Sequence, residues 1–288
     1  MPRCWLCHGQ DLRLVKAANL PPSIDGSAFR VTDAGYGQSG PVYMCQSCTF
    51  RMCPGFEDAV RYYKVMDDPE YETTRGPRAL QALRLLSQIT GDHKVGRLLD
   101  IGAGSGILVE QAGNLGYIAE GVEPSDWLAR RANERGIRVH HGVLPIDSVR
   151  GPYDIVTLID VIEHVSDPVG LLRCAREVMK PDGIGLVVTP DIGSLTARVM
   201  GDRWWHYRVA HICYFTQLTI REGLRRAGLI PVHTFRPSWY FSLAYLIERL
   251  AVYGAPLRRL RLRKTEQIVI PLNLFDSIAV VFRRDPES

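Results

Sequence analysis

The spacing of apolar residues changes twice along the 288-residue chain. Residues 1–56 show little periodicity and are rich in Gly, Pro and Cys, whereas 57–95 carry apolar side chains at every third position from Leu80 to Ile89. From residue 96 onward, short apolar runs alternate with helical segments. The pattern predicts a small N-terminal module (1–56), a helical linker or cap (57–95) and one α/β domain (96–288).

Apolar runs bounded by turn residues predict the strands of the α/β domain. They lie at 97–101, 117–122, 153–160, 183–189, 229–235 and 277–283. The segments between them predict helices at about 106–115, 125–135, 168–180 and 216–227, the last capped by Thr216. Because strands alternate with helices, we expect a doubly wound parallel sheet. An insertion at about 237–272 interrupts this order, and its first part, 237–254, has the pattern of an amphipathic helix.

A glycine-rich turn follows the first of these strands in LLDIGAGSGILVE, residues 98–110. Glycine permits positive φ and lets a ligand approach the backbone, and the free N–H groups of the next helix face that ligand. The turn lacks the Gly-Lys-Ser/Thr of a phosphate loop, and its D-x-G-x-G-x-G spacing differs from the G-x-G-x-x-G of dinucleotide folds. Glu123 ends the next apolar run, where an acid can accept both hydroxyls of a ribose. The pattern therefore favours a nucleoside-type ligand over a tight turn without one.

Four segments in order, LLDIGAGSG, GVEPS, YDIVTLIDVIEHVSDP and VMKPDG, resemble the class I S-adenosylmethionine-dependent methyltransferases. The resemblance covers about residues 78–235. It implies a Rossmann-like sheet with an antiparallel last strand, and S-adenosylmethionine as the cofactor.

The resemblance also implies roles for individual residues around the cofactor. The loop that carries Gly102, Ala103, Gly104 and Gly106 would pass beneath the methionine part, and Asp100 would hold its amino group. Glu123 would bind the ribose, Pro124 would lie near the adenine, and Asp160 would close the pocket. The family usually has an acid after the third strand, where this chain reads His-Gly-Val-Leu, so backbone contacts at Val143 are expected instead.

Two Cys-x-x-Cys pairs lie in the N-terminal module, Cys4 with Cys7 and Cys45 with Cys48. Each pair can grip one side of a tetrahedral Zn²⁺ through a tight turn. A segment so poor in apolar pattern would gain folding free energy from the metal. We therefore expect a zinc site, with four ordinary thiols as the alternative.

The pairs, followed by Tyr62-Tyr63, resemble bacterial methyltransferases of polysaccharide, deoxysugar and natural-product gene clusters. In this chain Thr49 replaces the usual Gly, and Cys53-Pro54 stands where Asn-Pro is usual. The resemblance implies a small-molecule acceptor, such as a sugar nucleotide or a natural-product intermediate, methylated at carbon or oxygen.

Two histidines are candidates for a general base on the acceptor side. His164 follows the strand predicted at 153–160, whose end faces the ligand crevice of an open α/β sheet, and His211 begins HICYFT. Either ring can instead anchor a loop through a hydrogen bond. Nearby aromatic residues form either a lid or part of the core, namely Trp204, Trp205, Tyr207, Tyr214 and Phe215.

The net charge of +4 is mild and argues against a dedicated nucleic-acid binder. The basic run at 258–264 is expected to be a solvated face. Met1 is followed by no leader pattern, and no apolar run reaches the roughly 18 residues of a membrane span, so we expect a cytoplasmic protein. The alternatives are an RNA methyltransferase that grips RNA through its zinc module and a non-catalytic zinc-containing binding protein.

Overall fold

The computed structural model describes residues 2–21, 23–90, 96–252 and 268–287. Within these ranges, no helix is long and apolar enough to cross a membrane. The first elements are three antiparallel strands, β1 (Leu12–Lys16), β2 (Val42–Cys45) and β3 (Arg51–Met52). Three helices follow, α1 (Val60–Val65), α2 (Pro69–Thr73) and α3 (Arg75–Thr90).

The remaining elements build the large domain and its insertion. The strands are β4 (Arg97–Ile101), β5 (Ile118–Glu123), β6 (Val139–His141), β7 (Tyr153–Ile159), β8 (Met179–Pro190), β9 (Cys213–Tyr214), β10 (Leu229–Phe235), β11 (Trp239–Ser242), β12 (Val269–Leu272) and β13 (Ser277–Arg284). The helices are α4 (Ile107–Asn114), α5 (Asp126–Glu134), α6 (Pro168–Val178), α7 (Leu195–Met200), α8 (Gln217–Arg226) and α9 (Leu243–Val252).

Seven strands form one sheet in the order β10-β13-β8-β7-β4-β5-β6. The pairs from β8 to β6 are parallel, and β13 runs antiparallel to both of its neighbours. The predicted Rossmann-like sheet with an antiparallel last strand is therefore confirmed. The order reverses next to β4, so the carboxyl ends of β4, β5 and β7 open on a common crevice.

Several predicted helix starts are present with their caps. The Thr216 hydroxyl accepts from the N–H of Thr219 at the start of α8, and the Thr219 hydroxyl accepts in return from the N–H of Thr216. Asp167 caps α6, with Pro168 in the first turn where a missing N–H costs nothing.

The helix predicted at 237–254 is wrong in its first part. Trp239–Ser242 form β11, which pairs antiparallel with β12, and in the described part of this segment the helix spans Leu243–Val252. The pairing partner of β11 lies about 30 residues further along the chain, so the local pattern did not reveal it. The basic run at 258–264 lies outside the described residues.

The N-terminal strands share a core with the large domain. β9, from the large domain, pairs antiparallel with β3. The buried side chains of Cys4 and Leu6 belong to the same apolar cluster as Leu172, Ile220 and Leu224. Burial of this shared surface stabilises the attachment of residues 1–56 to the sheet through the hydrophobic effect.

Candidate functional site

The glycine loop between β4 and α4 has the backbone that its sequence suggested. Gly102 and Gly104 have φ of +76° and +55°, a region in which a Cβ is strained. A Cβ on Gly102 would overlap the Val161 side chain, and one on Gly104 would come within 2.7 Å of the Tyr71 hydroxyl. Both positions therefore require glycine, and Gly102, Ala103 and Gly104 line the cavity described below.

Gly106 differs from the other residues of the loop. It precedes α4 with φ of +75°, and a Cβ there would lie 2.6 Å from Ile137. Gly106 is not among the residues that line the cavity described below, so it allows close packing of the loop against the chain before β6.

Two carboxylates end neighbouring strands beside this loop. Glu123 accepts the backbone N–H groups of Gly104 (2.9 Å, on Oε2) and Ser125 (2.8 Å, on Oε1). Asp100 accepts the Thr157 hydroxyl at 2.6 Å. Burial raises the pKa of each carboxyl to about 7, although these hydrogen bonds oppose the shift. Each oxygen keeps a second lone pair for a ligand.

A single cavity of about 1550 Å³ opens above the loop. This volume exceeds the roughly 300–1,000 Å³ of an ordinary small-molecule site, so it has room for two ligands. Ten of the residues predicted for the cofactor and for catalysis line it, and these are Asp100, Gly102, Ala103, Gly104, Glu123, Pro124, Val143, Asp160, His164 and His211.

Asp160 lies directly after β7 with a positive φ of 53°, which Asp tolerates better than most residues. Burial raises its pKa to about 6, and electrostatic interactions with His206, Arg78 and Arg208 oppose that shift. Asp160 thus lines the same cavity as the glycine loop and interacts electrostatically with His206.

Two residues of the cap also reach the cavity, and the sequence did not single them out. Tyr71 of α2 approaches the loop at Gly104, and the Arg78 guanidinium of α3 lies over the Tyr71 ring, 4.5 Å from its centroid. The Arg78 Nε donates to the Thr74 hydroxyl at 2.8 Å. Their segment shows only helical periodicity, and nothing local indicates that it folds over the loop.

The two predicted base candidates lie at the far end of the cavity and contact each other. The Nδ1 atom of His164 lies 2.8 Å from the Ala210 carbonyl and 2.6 Å from the Tyr63 hydroxyl. The Nδ1 atom of His211 donates to the His206 carbonyl at 2.9 Å. Burial lowers the pKa of His164 to about 4 and that of His211 well below its usual value.

The aromatic residues near His211 were expected to form either a lid over the acceptor or part of the core, and the structure places them in both kinds of position. Trp205 is half-buried and lines the cavity. The other four belong to the core, with exposed fractions of 7% or less, and are Trp204, Tyr207, Tyr214 and Phe215.

The four paired cysteines meet in the N-terminal sheet. The Sγ atoms of Cys4 and Cys48 are 3.6 Å apart, those of Cys7 and Cys45 are 3.5 Å apart, and all four lie within 4.8 Å of one another.

Each pair is followed by a residue with φ of 63°, His8 after the first and Thr49 after the second. Their N–H groups donate to the carbonyls of Cys4 (2.9 Å) and Cys45 (2.8 Å), so the two turns have the same geometry. Thr49 adopts the left-handed conformation that glycine usually supplies.

The geometry agrees with comparisons to known proteins. Residues 71–234 match a family model described as a methyltransferase domain. The ubiquinone biosynthesis O-methyltransferase of Bordetella avium (strain 197N) is 32% identical over 126 residues, which are 40% of this chain and 52% of that protein. The protein of the same name from Cereibacter sphaeroides (strain ATCC 17025 / ATH 2.4.3) is 30% identical over 167 residues, 51% and 68% of the two chains. The chain spans about half the length of the first of these relatives.

Solved structures share the fold. The complex of the Haloferax volcanii Trm112 methyltransferase activator with a putative methyltransferase contains a chain with a TM-score of 0.53 at 15% identity, covering 75% of this chain and 95% of that one. The PH0226 protein from Pyrococcus horikoshii OT3 has a TM-score of 0.51 at 16% identity, covering 80% and 100%. Sheet order, glycine loop and crevice thus define a Rossmann-like methyltransferase fold. The chain belongs to the methyltransferase domain family.

Replacing Asp100 with Asn should flatten the pH dependence of the unfolding free energy of the ligand-free protein. The pKa of Asp100 is about 7 in the folded chain against 3.8 ordinarily, so the folded state holds a proton that the unfolded chain releases between these values. The stability contributed by this proton is present below about pH 4 and is lost as the pH rises through 7, by about 1.4 kcal/mol per pKa unit. Urea unfolding from pH 4 to 8 measures the difference.

The exposed Asp182 provides the matched control, because Asp182→Asn leaves the cavity unchanged. If D100N and the wild type keep parallel pH profiles, Asp100 does not carry this proton.

Proposed function

We propose that this chain is an S-adenosylmethionine-dependent methyltransferase that acts on a small-molecule acceptor. One observation carries the proposal: the Glu123 carboxylate is held by the N–H groups of Gly104 and Ser125 beside a loop in which Gly102 and Gly104 have no room for a side chain. A fixed carboxylate next to bare backbone is suited to the two hydroxyls of a ribose. The family match and the fold support the same class.

The lining residues fit this cofactor, which supplies an electrophilic methyl group on a sulfonium. Glu123 would bind the ribose, and Asp100 the amino group of the methionine part. Pro124 and Val143 would lie against the adenine. Arg78 offers its guanidinium to the carboxylate of the methionine part, since it lines the cavity on the loop side. Asp160 would close the pocket toward the acceptor.

The acceptor would occupy the imidazole-rich end of the cavity. The enzyme then has to align two bound reactants, an entropic effect worth several powers of ten in rate. The relatives named O-methyltransferases support oxygen as the methylated atom. We propose a sugar nucleotide or a natural-product intermediate as the acceptor class, on the resemblance carried by the cysteine pairs and Tyr62-Tyr63.

We further propose that Cys4, Cys7, Cys45 and Cys48 hold a structural Zn²⁺. A tetrahedral site with Zn–S bonds of about 2.3 Å places its sulfur atoms about 3.8 Å apart. The observed separations of 3.5 and 3.6 Å need only a small expansion to reach that value. Four protein ligands leave no open position for substrate, which is typical of structural sites.

Glu123→Ala should weaken S-adenosylmethionine binding by about a hundredfold or more, because hydrogen bonds to a charged group contribute about 1.5–3 kcal/mol each. Calorimetric titration measures the affinity, and circular dichroism checks that the fold survives. The exposed Glu134→Ala is the control. Unchanged affinity in the Glu123 variant would rule out the ribose assignment.

Removal of zinc should unfold residues 1–56 and leave the seven-stranded sheet folded. Metal analysis is expected to find one zinc per chain, and limited proteolysis after chelation should cleave within the N-terminal segment. Cys45→Ser should have the same effect, whereas Cys174→Ser, outside the cluster, should not. A segment that stays protease-resistant without metal would refute the structural role.

A panel of sugar nucleotides, catechols and other hydroxylated small molecules, tested with methyl-labelled cofactor, should yield a labelled product. Mass spectrometry of that product identifies the methylated atom, and the Glu123→Ala variant gives the background. Label transferred to total RNA but to no small molecule would replace the small-molecule proposal with the RNA alternative.

A further inference from the structure

Three imidazole rings are in contact at the acceptor end of the cavity. The rings of His164 and His211 meet edge to face with centroids 4.8 Å apart, and the ring of His206 stacks on His211 at 5.8 Å. All three residues line the cavity. A hydroxyl acceptor must lose its proton as it is methylated, and any of these three rings is a candidate to accept that proton.

His164 and His211 are poorly suited to gain a proton. Burial lowers the pKa of both rings, and it outweighs the backbone carbonyls that their Nδ1 atoms face, Ala210 at 2.8 Å and His206 at 2.9 Å, which favour the protonated form. Glu163 is near His164, with 4.0 Å between Oε1 and Nε2, but burial raises the pKa of this carboxyl well above its usual value. The raised pKa disfavours the carboxylate form that would stabilise an imidazolium.

His206 has the charged partner that the other two rings lack. Its Nε2 atom lies 3.4 Å from Oδ2 of Asp276, whose side chain is only 5% exposed. Burial raises the pKa of Asp276, but the hydrogen bonds from His206 and Trp204 outweigh it and hold the pKa below its usual value. Asp276 therefore favours its carboxylate form, which accepts a hydrogen bond from Nε2 of His206 and fixes the orientation of that ring.

Both members of the pair are held in place. The Trp204 indole N–H points at Oδ2 of Asp276 at 3.3 Å, and the Asp276 carbonyl accepts the N–H of Asp191 at 2.8 Å, just before β13. The side chain of His206 is 22% exposed. Within the described ranges, its Nδ1 atom has no hydrogen-bond partner, so this nitrogen is available to a ligand.

We infer that His206, oriented by Asp276, is the general base that deprotonates a hydroxyl acceptor; the inference rests on the proposed function. The acceptor oxygen forms the new bond to the methyl carbon, the carbon–sulfur bond breaks with its electron pair left on sulfur, and the hydroxyl proton passes to Nδ1 of His206. His211 is a positioning residue, because its ring stacks on His206 and its Nδ1 holds the His206 carbonyl.

The charges that face His206 come from several elements. Asp276 precedes β13, Asp160 follows β7, and Arg208 and His211 lie in the loop before β9. Asp160 and His211 each interact electrostatically with His206, and Arg208 acts on both of those residues. The pH profile of the reaction therefore belongs to this group of residues as a whole.

The test compares His206→Gln and Asp276→Asn with His140→Gln. His140 is a matched control because its Nε2 atom also contacts a carboxylate, Glu120 at 2.8 Å, and it does not line the cavity. Turnover is measured at saturating cofactor from pH 5 to 9, with catechol as the hydroxyl probe. We expect kcat to fall by about 10²-fold or more in H206Q, by about tenfold in D276N, and by less than twofold in H140Q.

Two readouts separate a base from a merely structural residue. The rise of kcat with pH in the wild type should be absent in H206Q, while cofactor affinity stays unchanged in all three variants. Added imidazole should restore turnover to His206→Ala but not to Glu123→Ala. Retention of wild-type kcat and pH profile in H206Q would overturn the inference, whereas a wild type that fails to bind the cofactor would contradict the proposed function instead.

Discussion

The site depends on one constraint: the backbone that follows β4 must lack side chains at Gly102 and Gly104 while a carboxylate stays beside it. Positive φ at Gly102 and Gly104 meets the first requirement, because Val161 and Tyr71 occupy the space that a Cβ would need. The parallel pairing of β4 with β5 meets the second, since it places Glu123 where the Gly104 N–H reaches it. The loop and the acid thus hold each other in position, and the other walls of the cavity are arranged around them.

The N-terminal module influences the cavity through aromatic packing. The Phe29 ring stacks on Tyr62 at 4.4 Å and meets Tyr63 edge to face at 5.4 Å. Tyr63 in turn places its hydroxyl 2.6 Å from His164. The order of residues 1–56 is therefore connected physically to the acceptor end.

Buried charge is distributed unevenly across the cavity. On the cofactor side, burial raises the pKa values of Asp100 and Glu123 to about 7, and a bound ligand that donates hydrogen bonds would favour their charged forms. Near the three histidines, burial raises the pKa of Glu163 well above its usual value, whereas hydrogen bonds hold that of Asp276 below its usual value. Burial therefore raises the pKa of three of these four carboxyl groups, and Asp276 is the one whose pKa is lowered.

The sequence by itself determined those features whose residues are close together along the chain. The strand–loop–helix around Gly102, the acid at the end of the next strand and the two cysteine turns each lie within a few residues or one β-α-β unit, so spacing alone reveals them. Only the tertiary structure decided that Trp239–Ser242 form a strand, that Arg78 and Tyr71 fold over the loop, and that Asp276 meets His206. Those partners are up to about 70 residues apart, and contacts at such separations depend on how whole elements pack, which no local periodicity encodes.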